Sequence, residues 1–181
     1  MKDLLSQNNE VLILYSRSKK NNSGQHIKRT STSILDSFFR THFNKSDVRI
    51  IKDQRGKPQL NVPGIHLSIS HSGEVTICAL SRMEIGVDVE LERPVSDKCF
   101  DLINKLYARY FKVNNLEDWV KFESALKLKN LRLDSVAKKE KIAHNVFENI
   151  EFQEIKLFDN YKSFVCAEHK IETIRYQYIE Q

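Results

Sequence analysis

Glycine and proline are scarce in this chain, with 5 and 3 in 181 residues. That scarcity excludes collagen-like, linker-like and low-complexity sequence, and with 40% hydrophobic residues it describes a globular protein. Cysteine is scarce too. Cys78, Cys99 and Cys166 are odd in number, widely spaced and form no CxxC pair, so neither a zinc knuckle nor a disulfide framework is indicated. They read as reduced thiols of a cytosolic protein. Long apolar runs are also lacking. The longest early one, Val11–Tyr15, is far short of the roughly 20 residues that cross a bilayer. The first residues show no signal-peptide apolar core. The expectation is a soluble, cytoplasmic protein with no membrane partner.

Charge is present in quantity. The net charge is +5, so the surface should attract anions: phosphorylated metabolites, nucleic acid or acidic proteins. A nucleic-acid surface would interleave aromatics with its cations. The lysine-rich stretch Ala137–Lys141 has no aromatic residue, and no nucleic-acid partner is expected.

The element order reads as strand, helix, strands, helices, strands. Val11–Tyr15 is a branched and aromatic strand, and Ile27–Phe43 places its apolar residues at helical spacing. Val48–Lys52 is a short strand ended by the turn Arg55-Gly56-Lys57-Pro58. His66–Ser70, Val75–Ser81 and Gly86–Leu91 are strands separated by hairpin-like turns. Phe100–Phe111 and Leu116–Leu128 are helices, the second with Asn115 as N-cap. Phe152–Phe158, Tyr161–Ala167 and Ile171–Tyr178 close the chain as strands. Clustered strands without strand–helix alternation predict an α+β fold.

Three stretches carry chemistry. In Ile85-Gly86-Val87-Asp88-Val89-Glu90, the acids lie two apart, so a strand points both to one face. Two carboxylates in an apolar strand repel and resist desolvation, and a hard divalent cation relieves both. An edge strand whose acids face water fits the same spacing. Trp119, Glu123 and Lys127 follow at i, i+4 and i+8, one stripe of a helix. A surface Glu–Lys pair beside a half-buried Trp has this spacing too. Gly56-Lys57-Pro58 presents backbone N–H groups and a cation, which suits phosphate, and Ser68-Ile69-Ser70-His71-Ser72-Gly73 adds hydroxyls and an imidazole. Taken alone, that pair reads first as a plain turn and a hairpin.

Taken in order, Gly56-Lys57-Pro58, Ser70-His71-Ser72, Gly86-Val87-Asp88-Val89-Glu90 and Trp119–Lys127 resemble the 4′-phosphopantetheinyl transferase superfamily, in its longer, pseudo-dimeric form. The resemblance runs from about Arg29 to Lys127. It implies one domain over 1–181, made of two similar α/β halves (about 1–85 and 86–181) whose antiparallel sheets pack about a pseudo-two-fold axis. It implies a monomer that moves the phosphopantetheine arm of coenzyme A to a serine of an acidic acyl or peptidyl carrier protein, releasing 3′,5′-ADP. By the same resemblance, Asp88, Glu90 and Glu123 hold Mg2+, and Glu123 and Lys127 are catalytic. Arg29, Thr30, Gly56, Lys57, Pro58, Ser70, His71 and Lys127 contact the coenzyme. The chain departs from the family pattern at Phe122, where a lysine is usual, and after Lys127, where a glycine-containing stretch is replaced by Leu128–Leu133. A non-catalytic relative that binds coenzyme A or a carrier protein is the alternative.

Overall fold

The computed structural model describes residues 4–18, 24–44, 47–135, 138 and 142–180, with side chains from residue 31 onward within the first helix. Nine strands and three helices form its regular elements among these residues. They run β1 (Glu10–Arg17), α1 (Gly24–Phe43), β2 (Ile50–Lys52), β3 (Pro58–Leu60), β4 (His66–Ser72), β5 (Val75–Ser81), β6 (Ile85–Leu91), α2 (Asp97–Tyr107), α3 (Leu116–Leu128), β7 (Glu151–Glu154), β8 (Tyr161–Ala167) and β9 (Thr173–Tyr178). The architecture is mixed α+β, with sheets of order β4-β5-β1-β9, β2-β3 and β6-β8-β7.

The apolar patterning explains the layering. Along β1, Leu12 and Leu14 pack with Ile34, Leu35, Phe38 and Phe39 of α1. Val11 and Ile13 point the other way, into a second core with Ile77, Ala79, Val87, Val89 and Val165. The four-stranded sheet is therefore covered on both faces, by α1 and by the three-stranded sheet. A strand buried on both faces reads as a continuous apolar run rather than an alternation, which is the pattern of Val11–Leu14. A third core, around Phe100, Tyr107, Phe122 and Phe147, packs α2 and α3 together.

Two features depart from the sequence reading. Pro58–Leu60 is a short strand, β3, rather than the tail of a turn, and Pro58 sits at its first residue, where a missing N–H costs least. β9 pairs in parallel with β1, Ile13 opposite Tyr176, so this strand of the expected second half completes the first sheet. Of the lysine-rich stretch, only Lys138 lies among the described residues. No helix among the described residues is long and apolar enough to cross a membrane.

Candidate functional site

β6 and α3 build the site, and alternation along β6 divides its roles. Val87 and Val89 face the core, while Gly86, Asp88 and Glu90 face α3. At Gly86 a Cβ would lie 1.9 Å from the Ser124 carbonyl oxygen and 2.7 Å from the Leu128 amide nitrogen. Only glycine admits α3 this close to the strand. That contact brings Glu123 and Lys127 over the two acids of β6. Asn115 caps α3 as its sequence suggests, its side chain accepting the Asp118 N–H at 2.8 Å.

A ladder of serines joins the two sheets at this point. The outward N–H groups of Val87, Val89 and Leu91 on β6 donate to the hydroxyls of Ser68, Ser70 and Ser72 on β4, at 3.0, 3.3 and 3.0 Å. Two of these hydroxyls pass the connection onward. Ser70 donates to Asp88 Oδ1 and Ser72 to Glu90 Oε2, both at 2.7 Å. Lys127 Nζ reaches the same centre, 2.7 Å from Asp88 Oδ1 and 2.9 Å from Ser70 Oγ. Ser70 is 4% exposed and fully engaged, so it orients Asp88 and Lys127 rather than presenting a hydroxyl to solvent.

The electrostatics of this cluster are unbalanced. Three carboxylates face one ammonium, and Asp88 Oδ2 is buried without a hydrogen-bond partner. Burial, then the charges of Asp88 and Glu90, push Glu123 up to about 7 despite the opposing pull of Lys127. Hard oxygen donors, mutual repulsion and an orphaned buried oxygen fit a hard divalent cation. The cage is not preformed: among the described residues no three His, Cys, Asp or Glu side chains stand together in a metal-binding group. The lysine ammonium holds the Asp88 carboxylate instead.

Lys127 also lines a cleft of about 370 Å³ with Lys52, Arg55, Lys57 and Arg132, and no acidic residue among the described ones borders it. Gly56 and Pro58 belong to the same wall. The cleft therefore unites Gly56, Lys57, Pro58 and Lys127 in one cationic surface. The turn differs from expectation in one respect, because its amides are already occupied. Asp53 Oδ1 accepts the N–H groups of Arg55 and Lys57 at 2.9 and 2.8 Å, and the Asp53 carbonyl accepts that of Gly56 at 3.0 Å. Cationic side chains, rather than the backbone, are what this turn offers an anion.

The remaining expected residues divide. His71 follows Ser70 on β4 and so points from the opposite strand face; it is exposed, and desolvation followed by the charge of Lys127 holds it below the ordinary imidazole range. Arg29 and Thr30 fall in the early turns of α1, where side chains lie outside the described ones. Phe122 does not face the site. It is fully buried against Tyr107, Phe111, Trp119 and Phe147, so the residue at which the chain departs from the resembled pattern is a core aromatic. Cys78 and Cys166 are buried thiols pushed up to about 12 by desolvation, without a chemical role in the cluster.

Sequence reading missed Ser68 and Ser72 as seam residues and Lys52, Arg55 and Arg132 as cleft cations. The Ser-x-Ser-x-Ser alternation was visible. Its partners, 19 residues further on, carry no local signal.

No family model matches the chain. Two curated proteins of Bacillus subtilis do, each over a short segment. The chain is 43% identical over 54 residues to the 4′-phosphopantetheinyl transferase Sfp of strain 168, and to the same extent to the 4′-phosphopantetheinyl transferase ffp. The matched segment is 29% of this chain and 24% of each relative, so the match spans about a quarter of the length of these proteins. This local similarity supports a relationship to the phosphopantetheinyl transferase superfamily.

Proposed function

We propose that this protein transfers the 4′-phosphopantetheine arm of coenzyme A to a serine of an acyl or peptidyl carrier protein, with Mg2+, releasing 3′,5′-ADP. The observation that carries this reading is the joining of two features through Lys127: an under-neutralised carboxylate cluster around the buried Asp88 and a cleft bordered by five cations. A substrate with a pyrophosphate and an acceptor hydroxyl needs both. The local similarity to two phosphopantetheinyl transferases supports the same substrate class.

In this mechanism the cleft cations bind the coenzyme's phosphates and align the pyrophosphate beside the cluster. The carrier serine Oγ bonds to the β-phosphorus as the bond to the 3′,5′-ADP oxygen breaks, and the serine proton passes to Glu123. Glu123, carried by α3 over the two acids of β6, is the carboxylate placed to take that proton. Lys127, already half in the cleft, neutralises charge on the departing phosphate. Ser70 and Ser72 each donate to one acid of β6 and so orient Asp88 and Glu90. Asp88, Glu90 and Glu123 would hold Mg2+, which supplies charge neutralisation at the pyrophosphate. The positive net charge favours encounter with an acidic carrier.

The test is incubation with Mg2+, coenzyme A and a panel of apo fatty-acid, polyketide and peptide carriers. One or more carriers should gain the mass of a single phosphopantetheine, with equimolar 3′,5′-ADP. Unmodified carriers across the panel would contradict the reading.

A further inference from the structure

The hairpin that carries Gly56 and Lys57 is fastened to the far end of α3, and the fastening has a form that suggests a purpose. α3 ends in a Schellman arrangement: the Leu131 N–H bonds the Leu126 carbonyl at 2.9 Å and the Asn130 N–H that of Lys127 at 3.3 Å. The left-handed position usually given to glycine is held by Asn130, with φ +51°. Asparagine tolerates that conformation less freely than glycine, but it brings a side chain. Asn130 Nδ2 donates to Asp53 Oδ2 at 2.7 Å, while Asp53 Oδ1 closes the hairpin turn. From the other side Arg55 donates to the Asn130 carbonyl at 3.3 Å and Lys57 Nζ to the Leu128 carbonyl at 3.2 Å. The bonds of Asp53, Arg55 and Lys57 to this helix end cross between the two walls of the cationic cleft, one to three residues beyond Lys127.

We propose that Asp53 and Asn130 form a latch that positions Lys127 and Lys57 across the cleft for anion binding. This rests on the proposed function in assigning a phosphate-bearing substrate to the cleft. It explains why the stretch after Lys127 dispenses with glycine: the cap residue also fastens the opposite wall. Asp53 is a positioning residue, since it acts through the turn and the helix end rather than on the substrate.

The pair can be separated from simple structural support. Asn130→Gly keeps, and eases, the left-handed cap while removing the latch. Asp53→Asn keeps an acceptor for the turn amides but turns an amide toward Asn130. The probe is inorganic pyrophosphate, titrated calorimetrically without metal or carrier. With melting temperatures near wild type, each variant should bind pyrophosphate about three- to tenfold more weakly, the effect of one hydrogen bond. The double variant should lose no more than Asn130→Gly alone. The exchange Asp53→Asn with Asn130→Asp, which reverses the bond's direction, should restore most of the affinity. Deleting the Asp53 charge would by itself strengthen anion binding, so weaker binding by Asp53→Asn identifies position rather than charge. In the transfer assay the loss should fall on KM for coenzyme A more than on kcat. Variants that bind pyrophosphate as wild type does overturn the latch alone. A wild-type protein that neither binds pyrophosphate nor modifies any carrier overturns the underlying reading, and the latch with it.

Discussion

Gly86→Ala probes the contact on which the whole site depends. The added Cβ would stand 1.9 Å from a backbone carbonyl oxygen, where ordinary contact begins near 3.4 Å. The obstacle is helix backbone, which cannot rotate aside as a side chain would, so α3 must retreat from β6 by about 1.5 Å to restore ordinary contact. Overpacking of this kind costs about 1–3 kcal/mol. The same retreat stretches the 2.7 Å contact between Lys127 and Asp88 beyond hydrogen-bond range. This part-buried charge-assisted bond adds at most about 1.5 kcal/mol to the loss. Allowing for partial relaxation, the variant should be about 3 kcal/mol less stable, a fall of roughly 6–12 °C in melting temperature for a chain of this size. Urea denaturation measures the first quantity and calorimetric scanning the second. Transfer activity should fall further than stability, because Glu123 and Lys127 ride on the displaced helix. A variant within about 0.5 kcal/mol of wild type, with transfer intact, would refute the claim that Gly86 sets the strand–helix distance.

Three other outcomes follow from the same geometry. Phe122→Lys restores the family's usual residue, yet it places an ammonium among four aromatic rings; it should lose about 4 kcal/mol or more rather than gain activity, and a folded, faster variant would overturn the core assignment. Ser70→Ala leaves the Val89 N–H, Asp88 and Lys127 each short of a partner, so urea denaturation should show a loss of about 2–3 kcal/mol, against under 0.5 if the seam is incidental. The third concerns pH. In metal-free protein Glu123 is raised from 4.5 to about 7, so the folded state binds its proton more tightly than the unfolded. Its contribution is therefore full below about 4.5 and is lost as pH rises through about 7. Glu123→Gln should flatten the decline in urea midpoint across that window and be the more stable protein at pH 8; parallel profiles would contradict this.

Local signals located much of this molecule, and long-range pairing concealed the rest. The Leu116–Leu128 helix and its Asn115 cap are written in a few consecutive residues, and so is the common face of Asp88 and Glu90. The reason for Gly86 is not, because the backbone it admits lies 38 residues onward, at Ser124. The serine seam and the latch between Asp53 and Asn130 likewise join residues whose sequence neighbourhoods say nothing of each other. Phe122 shows the same limit: a residue's place in a motif does not state which way the helix turns it, and here it faces the aromatic core. β9 misled by order, since a closing strand reads as part of the nearest sheet until its parallel register with β1 is seen.

The central claim is that Asp88, Glu90, Glu123 and Lys127 together move a phosphopantetheine arm. Its most direct test compares the intact mass of one apo carrier after incubation with Mg2+, coenzyme A and either wild-type protein, Asp88→Ala or Glu123→Ala. The account predicts a single phosphopantetheine added by wild type and little or none by either variant, both shown to be folded by circular dichroism. Equal modification by all three would contradict it.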